Sequence, residues 1–171
     1  MEYVQLFDEN GNALDQSLLR DDNVVIPEET YYMVVLVIIE NDNKYLMQLT
    51  SKEKNSVIAL TGGVVTFGDD NYKTCFKEVK EELGFDLKKD DVTFLGFKKV
   101  NKALVNVYYT NQKINIKDLV LQESEVADVY WLSRDEINKL ISDGKFRPTN
   151  VAAFEILDDY TKSYDMKTIK N

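Results

Sequence analysis

Three glutamates, Glu78, Glu81 and Glu82, stand at i, i+3 and i+4, a spacing that brings side chains together on one face of an α-helix. Like charges at that spacing cost about 0.2–0.5 kcal/mol in an isolated helix, so neither packing nor solubility accounts for the cluster. Clustered carboxylate oxygens do suit a hard divalent cation, above all Mg²⁺, which takes carboxylate, carbonyl and water ligands. At about 100° per residue, Tyr72, Cys75, Phe76, Val79 and Leu83 fall on a second, apolar face, and Lys73, Lys77 and Lys80 on a third. The stretch opens on Gly62-Gly63, read as a loop that lets backbone come close to a metal or a phosphate.

The run from Gly63 to Phe85 resembles the Nudix box of the Nudix hydrolase superfamily, GX5EX7REUXEEXGU with U aliphatic. Gly63 takes the first glycine, Asp69 the first acid and Lys77-Glu78 the Arg-Glu pair. Val79 fills the aliphatic position, Glu81-Glu82 the paired acids, and Gly84-Phe85 the close. Aspartate stands for glutamate at 69, lysine for arginine at 77, and an aromatic for an aliphatic residue at 85. The resemblance implies a hydrolase that cleaves a diphosphate linkage in a nucleoside diphosphate derivative or related organic diphosphate, with Mg²⁺ or Mn²⁺ as cofactor. It implies metal binding by Gly63, Glu78, Glu81 and Glu82, with Glu78 and Glu81 as the catalytic candidates and Glu78 first as the base. Asp69, Lys77, Glu123 and Glu125 are accessory candidates, and Lys77, one turn from Glu81, is expected to orient it. The family often shows basic residues just after the strand that ends here at Gln48. Leu49 and Thr50 stand there instead, followed by Lys52 and Lys54, so a thin phosphate clamp is expected.

Composition bounds the partners. The 171 residues carry a net charge of −9, with no basic stripe, which argues against nucleic acid or an anionic membrane; the small diphosphate substrate that the resemblance implies needs bound cations to offset that field. No histidine occurs, so imidazole mechanisms and His-ligated metals are excluded. One cysteine, Cys75, rules out an intramolecular disulfide and fits a reducing cytoplasm. Its place on the apolar helical face reads as a buried structural thiol. The start, MEYVQLFDENG, lacks the pattern of a signal peptide. The apolar run Tyr31–Ile39 falls far short of the roughly 20 residues that span a bilayer. A homodimer is left open.

These residues need a frame. Tyr3–Phe7 and the turn Asp8–Asn12 predict an N-terminal hairpin within residues 1–25. Strands are predicted at 31–40, 44–50, 57–60, 92–100, 103–109 and 126–132, the first of them buried on both sides. A helix is predicted from Asp69 or Asp70 to Leu83, stopped by Gly84. Ser133 and Glu136 have capping-box spacing for a second helix. A third starts at Thr149 or Asn150, with a polar tail over 162–171. The order resembles the α/β Nudix fold, one domain over 1–171 in which helices sandwich a mixed sheet. The hairpin YVQLFDENGNAL and the segment EVADVYWLSRDEINKLISDGKFRP, with Trp131 in the core, resemble the branch similar to isopentenyl-diphosphate isomerase. Isomerase activity itself depends in that family on histidines and a catalytic cysteine. A Nudix-fold binding or regulatory protein without turnover is the main alternative to the hydrolase.

Overall fold

The structure, a computed structural model, describes residues 2–170, with side chains through residue 164. In chain order the strands are β1 (Tyr3–Phe7), β2 (Ala13–Leu19), β3 (Tyr31–Asn41), β4 (Lys44–Thr50), β5 (Ile58–Ala59), β6 (Thr61–Val64), β7 (Val92–Val100), β8 (Ala103–Thr110) and β9 (Val126–Ser133). The helices are α1 (Asn71–Leu83), α2 (Arg134–Ser142) and α3 (Pro148–Lys170).

β3 is the hub. It runs parallel to β8 from Tyr32 to Ile39 and antiparallel to β6 from Val34 to Val37. Its first residues pair with β1, which carries β2 as the outer arm of the N-terminal hairpin. β7 closes the far edge on β8. At the other end of β3 the chain reverses through Asp42 and Asn43, both at positive φ (51° and 62°), the left-handed pair that a tight two-residue hairpin requires. It returns as β4, which carries β5 on one edge and β9 on the other.

Both faces of β3 are covered, which is why its sequence is almost unbroken valine, leucine and isoleucine. Val35, Val37 and Ile39 point into one core with Cys75, Val79 and Leu83 of α1. Leu36 and Ile38 point into the other, with Phe154, Ile156 and Leu157 of α3 and Ile137 of α2. Helices thus sandwich a mixed sheet, the α/β arrangement read from the sequence.

Several boundaries shift. Asp70 caps α1 by accepting from Lys73 N–H, and Gly84 ends it in the left-handed conformation at φ 65°. Ser133 and Glu136 form the reciprocal capping box. Gly62 and Gly63 are not a loop; they are strand residues, paired with Leu36 and Val35. Tyr72, assigned to the apolar helical face, is 41% exposed and packs edge-on against Phe76 at the surface. α3 does not give way to a tail near Thr161 but continues to Lys170; Asn171 lies outside the described residues. No described helix is long and apolar enough to cross a membrane.

Candidate active site

Gly62 and Gly63 are small for two different reasons. A Cβ on Gly62 would stand 2.0 Å from the Val35 carbonyl oxygen, so the sheet itself admits only glycine there. A Cβ on Gly63 would meet the Glu78 carboxyl at 2.5 Å. The missing side chain at Gly63 is therefore the space that the Glu78 carboxyl occupies. The strand is held from below by Asn150, whose side-chain oxygen accepts from Leu60 N–H at 2.7 Å.

The three clustered glutamates separate into three environments. Glu82 is only 5% exposed. The Gln48 side chain and Gly62 N–H lie near it and favour its charged form, and Gln48 is itself fixed by Thr61, whose hydroxyl donates to it at 3.1 Å. One carboxylate oxygen, Oε2, is buried with no partner. Burial, then the charge of Glu78, pushes Glu82 up to about 8. Glu78 is half-buried, and burial, followed by the charge of Glu81, pushes it to about 7 with Lys77 opposing. Glu81 itself is exposed. Glu82 thus does not lie on a solvated polar face: it turns inward under the glycine strand while Glu81 faces out.

Asp69 accepts from the Thr66 hydroxyl at 2.8 Å and pairs with Lys77 at 3.6 Å. Lys77 therefore braces the loop before α1 rather than orienting Glu81. Of the two downstream acids, Glu125 is half-buried and paired with Lys54 at 3.5 Å, whereas Glu123 is exposed. Cys75 is fully buried and its thiol is pushed up to about 12 by that burial. It packs in the core, as does the half-buried Trp131.

In front of Glu82 opens a cleft of about 280 Å³. Glu82, Glu125, Gly62 and Gly63 form its acidic side, and Arg20, Lys54 and Arg147 supply positive charge. Arg20 arrives at the end of β2, where it pairs with Glu2 at 2.7 Å. Arg147 arrives from the turn into α3 and donates to the Lys54 carbonyl at 3.2 Å. Besides Lys54 of the β4–β5 loop, cations thus come to the cleft from the hairpin and the start of α3. Sequence reasoning passed over both arginines. The signal was their scarcity: the chain has three arginines against 18 lysines, two of the three line this cleft, and the third is bound to Asp158.

Among the described residues no three acidic or thiol side chains stand close enough to hold a metal ion unaided. Mg²⁺ does not ask for that; it is commonly held by one or two carboxylates, with waters and substrate phosphate completing the octahedron. The orphaned Glu82 oxygen beside the Glu78 carboxyl fits such a half-built site.

A family model described as the NUDIX domain matches residues 30–154, more than half of the chain. The chain belongs to the Nudix family. That places it among the Nudix hydrolases, which are enzymes. It is similar to an uncharacterised Nudix hydrolase of Listeria innocua, 25% identical over 152 residues that span 86% of this chain and 89% of that one. A crystal structure from Deinococcus radiodurans superposes with a TM-score of 0.71 at 18% identity, covering 84% of this chain and 91% of the other. A NUDIX hydrolase from Nitrosomonas europaea gives a TM-score of 0.61 at 20% identity, over 78% and 90% of the two chains. At these identities the structural likeness is one of fold, which leaves chemistry to the site.

Proposed function

We propose that this Nudix protein is a divalent-metal-dependent hydrolase that cleaves the diphosphate linkage of a nucleoside diphosphate derivative or a related organic diphosphate. The observation that carries the reading is Glu82: a buried carboxylate with one oxygen unpartnered, beside a second, half-buried carboxylate, in a cleft lined by three cationic side chains. A buried acid without a cation is costly, and a site that tolerates one is built around a ligand that compensates it. Glu78 and Glu82 would hold Mg²⁺ or Mn²⁺, with Gly63 giving the room. When bound, such an ion neutralises phosphate charge and acidifies a coordinated water.

The chain's own residues supply the rest. Arg20 and Arg147 offer forked donors to phosphate oxygens, and Lys54 a point charge. They hold the diphosphate across the cleft from the glutamates. Glu78, half-buried beside Glu82, is the first candidate to take a proton from water, to the extent that it is not committed to the metal. Glu81, exposed beside it, tunes Glu78 through its charge and is the second candidate for the base. Cys75, buried away from the cleft, offers no thiol for isomerase chemistry. The substrate is a small molecule, and the chain works in the cytoplasm.

A binding protein without turnover is the second reading, favoured by the Asp69–Lys77 pair, which occupies the first acid of the box. The test is Mg²⁺-dependent phosphate release from a panel of nucleoside diphosphate derivatives, nucleoside triphosphates and non-nucleotide diphosphates. Turnover supports the hydrolase, and tight binding with no release the second reading.

A further inference from the structure

On the α3 side of the sheet, the face opposite α1, lies a cavity of about 510 Å³ that the hydrolytic reading does not use. Its walls include three tyrosines, Tyr109 of β8 and Tyr160 and Tyr164 of α3, with Leu95 and Leu157. Tyr160 and Tyr164 are one helical turn apart and so share a face. Thr93, Asn111 and Thr161 complete the lining, and its one charged group is the half-buried carboxylate of Glu40, sent in by β3.

The hydrogen bonds of Glu40 are informative. Its Oε1 accepts from the Tyr109 hydroxyl at 2.8 Å, and Tyr45 stands near enough to feel its charge. The Tyr109 phenol orients the carboxylate but leaves its negative charge intact. Glu40 takes part in none of the ion pairs among the described residues. Arg134 lies near Tyr45, yet both its terminal nitrogens are spent on the two oxygens of Asp158, at 2.9 and 2.7 Å. Among the described residues the cavity therefore carries one charge without an ion-pair partner, beside three tyrosines and two leucines.

That combination has a defined ligand chemistry. Ring faces attract cations through the quadrupole, the carboxylate attracts them by charge, and Leu95 and Leu157 favour a hydrocarbon stem. The lone pairs left on Glu40 accept N–H donors. We propose that this cavity is a second binding site, separate from the diphosphate cleft, for a primary alkylammonium ion carried on a short aliphatic chain.

The full-length protein labelled on its tyrosine rings, titrated with n-butylammonium chloride and watched by NMR, tests this. Tyr109 and Tyr160 should shift and saturate in the millimolar range, while n-butanol, of the same shape without charge, should leave them in place. Glu40→Gln keeps an oxygen for the Tyr109 hydroxyl and should fold, yet bind about ten-fold more weakly or worse, since it loses the charge and keeps only the rings. Tyr160→Ala, at a 39% exposed position, should also weaken binding. Neither variant should change diphosphate turnover. Equal shifts with butanol, undiminished binding by Glu40→Gln, or no saturable shift up to about 100 mM (below any useful affinity) would each overturn the proposal.

Discussion

Replacing Glu82 with glutamine tests the site through two effects of opposite sign. Glutamine has nearly the same volume, and its oxygen can still face the Gln48 side chain and Gly62 N–H. What is lost is a charge held in a place only 5% exposed. Without metal, the folded protein raises this carboxyl from 4.5 to about 8. A group raised on folding favours the folded state fully below its unfolded pKa, and that advantage is lost as pH rises through the folded value. In the metal-free wild type, then, stability drains away between about pH 4.5 and 8. By pH 8 the shift corresponds to about 4 kcal/mol against folding, at 1.36 kcal/mol per unit. The variant escapes that cost but turns an amide into the spot where Oε2 has no partner, a loss of about 1–3 kcal/mol. The net is a stabilisation of about 1–3 kcal/mol, or about 2–12 °C in Tm for a chain this size. With Mg²⁺ the order changes: wild type gains about 2.7 kcal/mol at a hundred times Kd, and the variant, with half its ligand set gone, gains little. Thermal melts at pH 5 and pH 8, with and without about 10 mM Mg²⁺, read all four states. If the variant melts below wild type in metal-free buffer at pH 8, or gains as much from Mg²⁺, the buried carboxylate is a structural acid and not half of a cation site.

The two glycines predict a contrast. Gly63→Ala drives a methyl into the flexible end of Glu78, so the fold should survive while turnover drops about 10²-fold or more through the misplaced carboxylate; an unaffected rate would remove Glu78 from the mechanism. Gly62→Ala meets the Val35 carbonyl at 2.0 Å and should cost about 3 kcal/mol or more, seen as a fall in urea midpoint. Arg147→Met and Arg20→Met should each raise KM about ten-fold or more, as expected for a lost charged hydrogen bond, with melting temperature nearly unchanged; kcat falling with KM fixed would contradict a phosphate-holding role. Val79→Asp, in a fully buried position facing β3, should unfold the domain by burying an unpaired charge, as circular dichroism would show.

What was legible in the sequence was whatever a local period or a local cap encodes. The run of β-branched residues in β3, the i, i+4 apolar positions of α1, the Asp70 and Gly84 ends and the Ser133–Glu136 box all depend on neighbours within about a turn. The folded chain carries them as written. The errors have one cause, which is that burial is decided by the partner element. Glu82 and Glu81 are adjacent and chemically identical, and only the position of β6 against α1 makes one buried and the other exposed. Gly62 and Gly63 look like a turn because glycine pairs are common there. They are strand residues because Val35 and Glu78, remote in sequence, leave no room for anything else.

The phosphate-binding side shows the same physics at longer range. Arg20, Lys54 and Arg147 share no period or motif, and each is an ordinary surface cation in its own segment. The fold gathers them because β1 lays the hairpin against the first residues of β3 while Asn150 ties the start of α3 to Leu60, just before the glycine strand. The clamp is therefore contributed by the parts that flank the box rather than by the box. This predicts a division of labour: changes at Gly63, Glu78 and Glu82 should act on the chemical step for every diphosphate offered. Changes in the hairpin or in residues 144–150 should instead reorder which diphosphate is preferred. If exchanging Arg20 or Arg147 lowered kcat by the same factor across the whole substrate panel, the flanking cations would belong to the chemistry, and this division would be wrong.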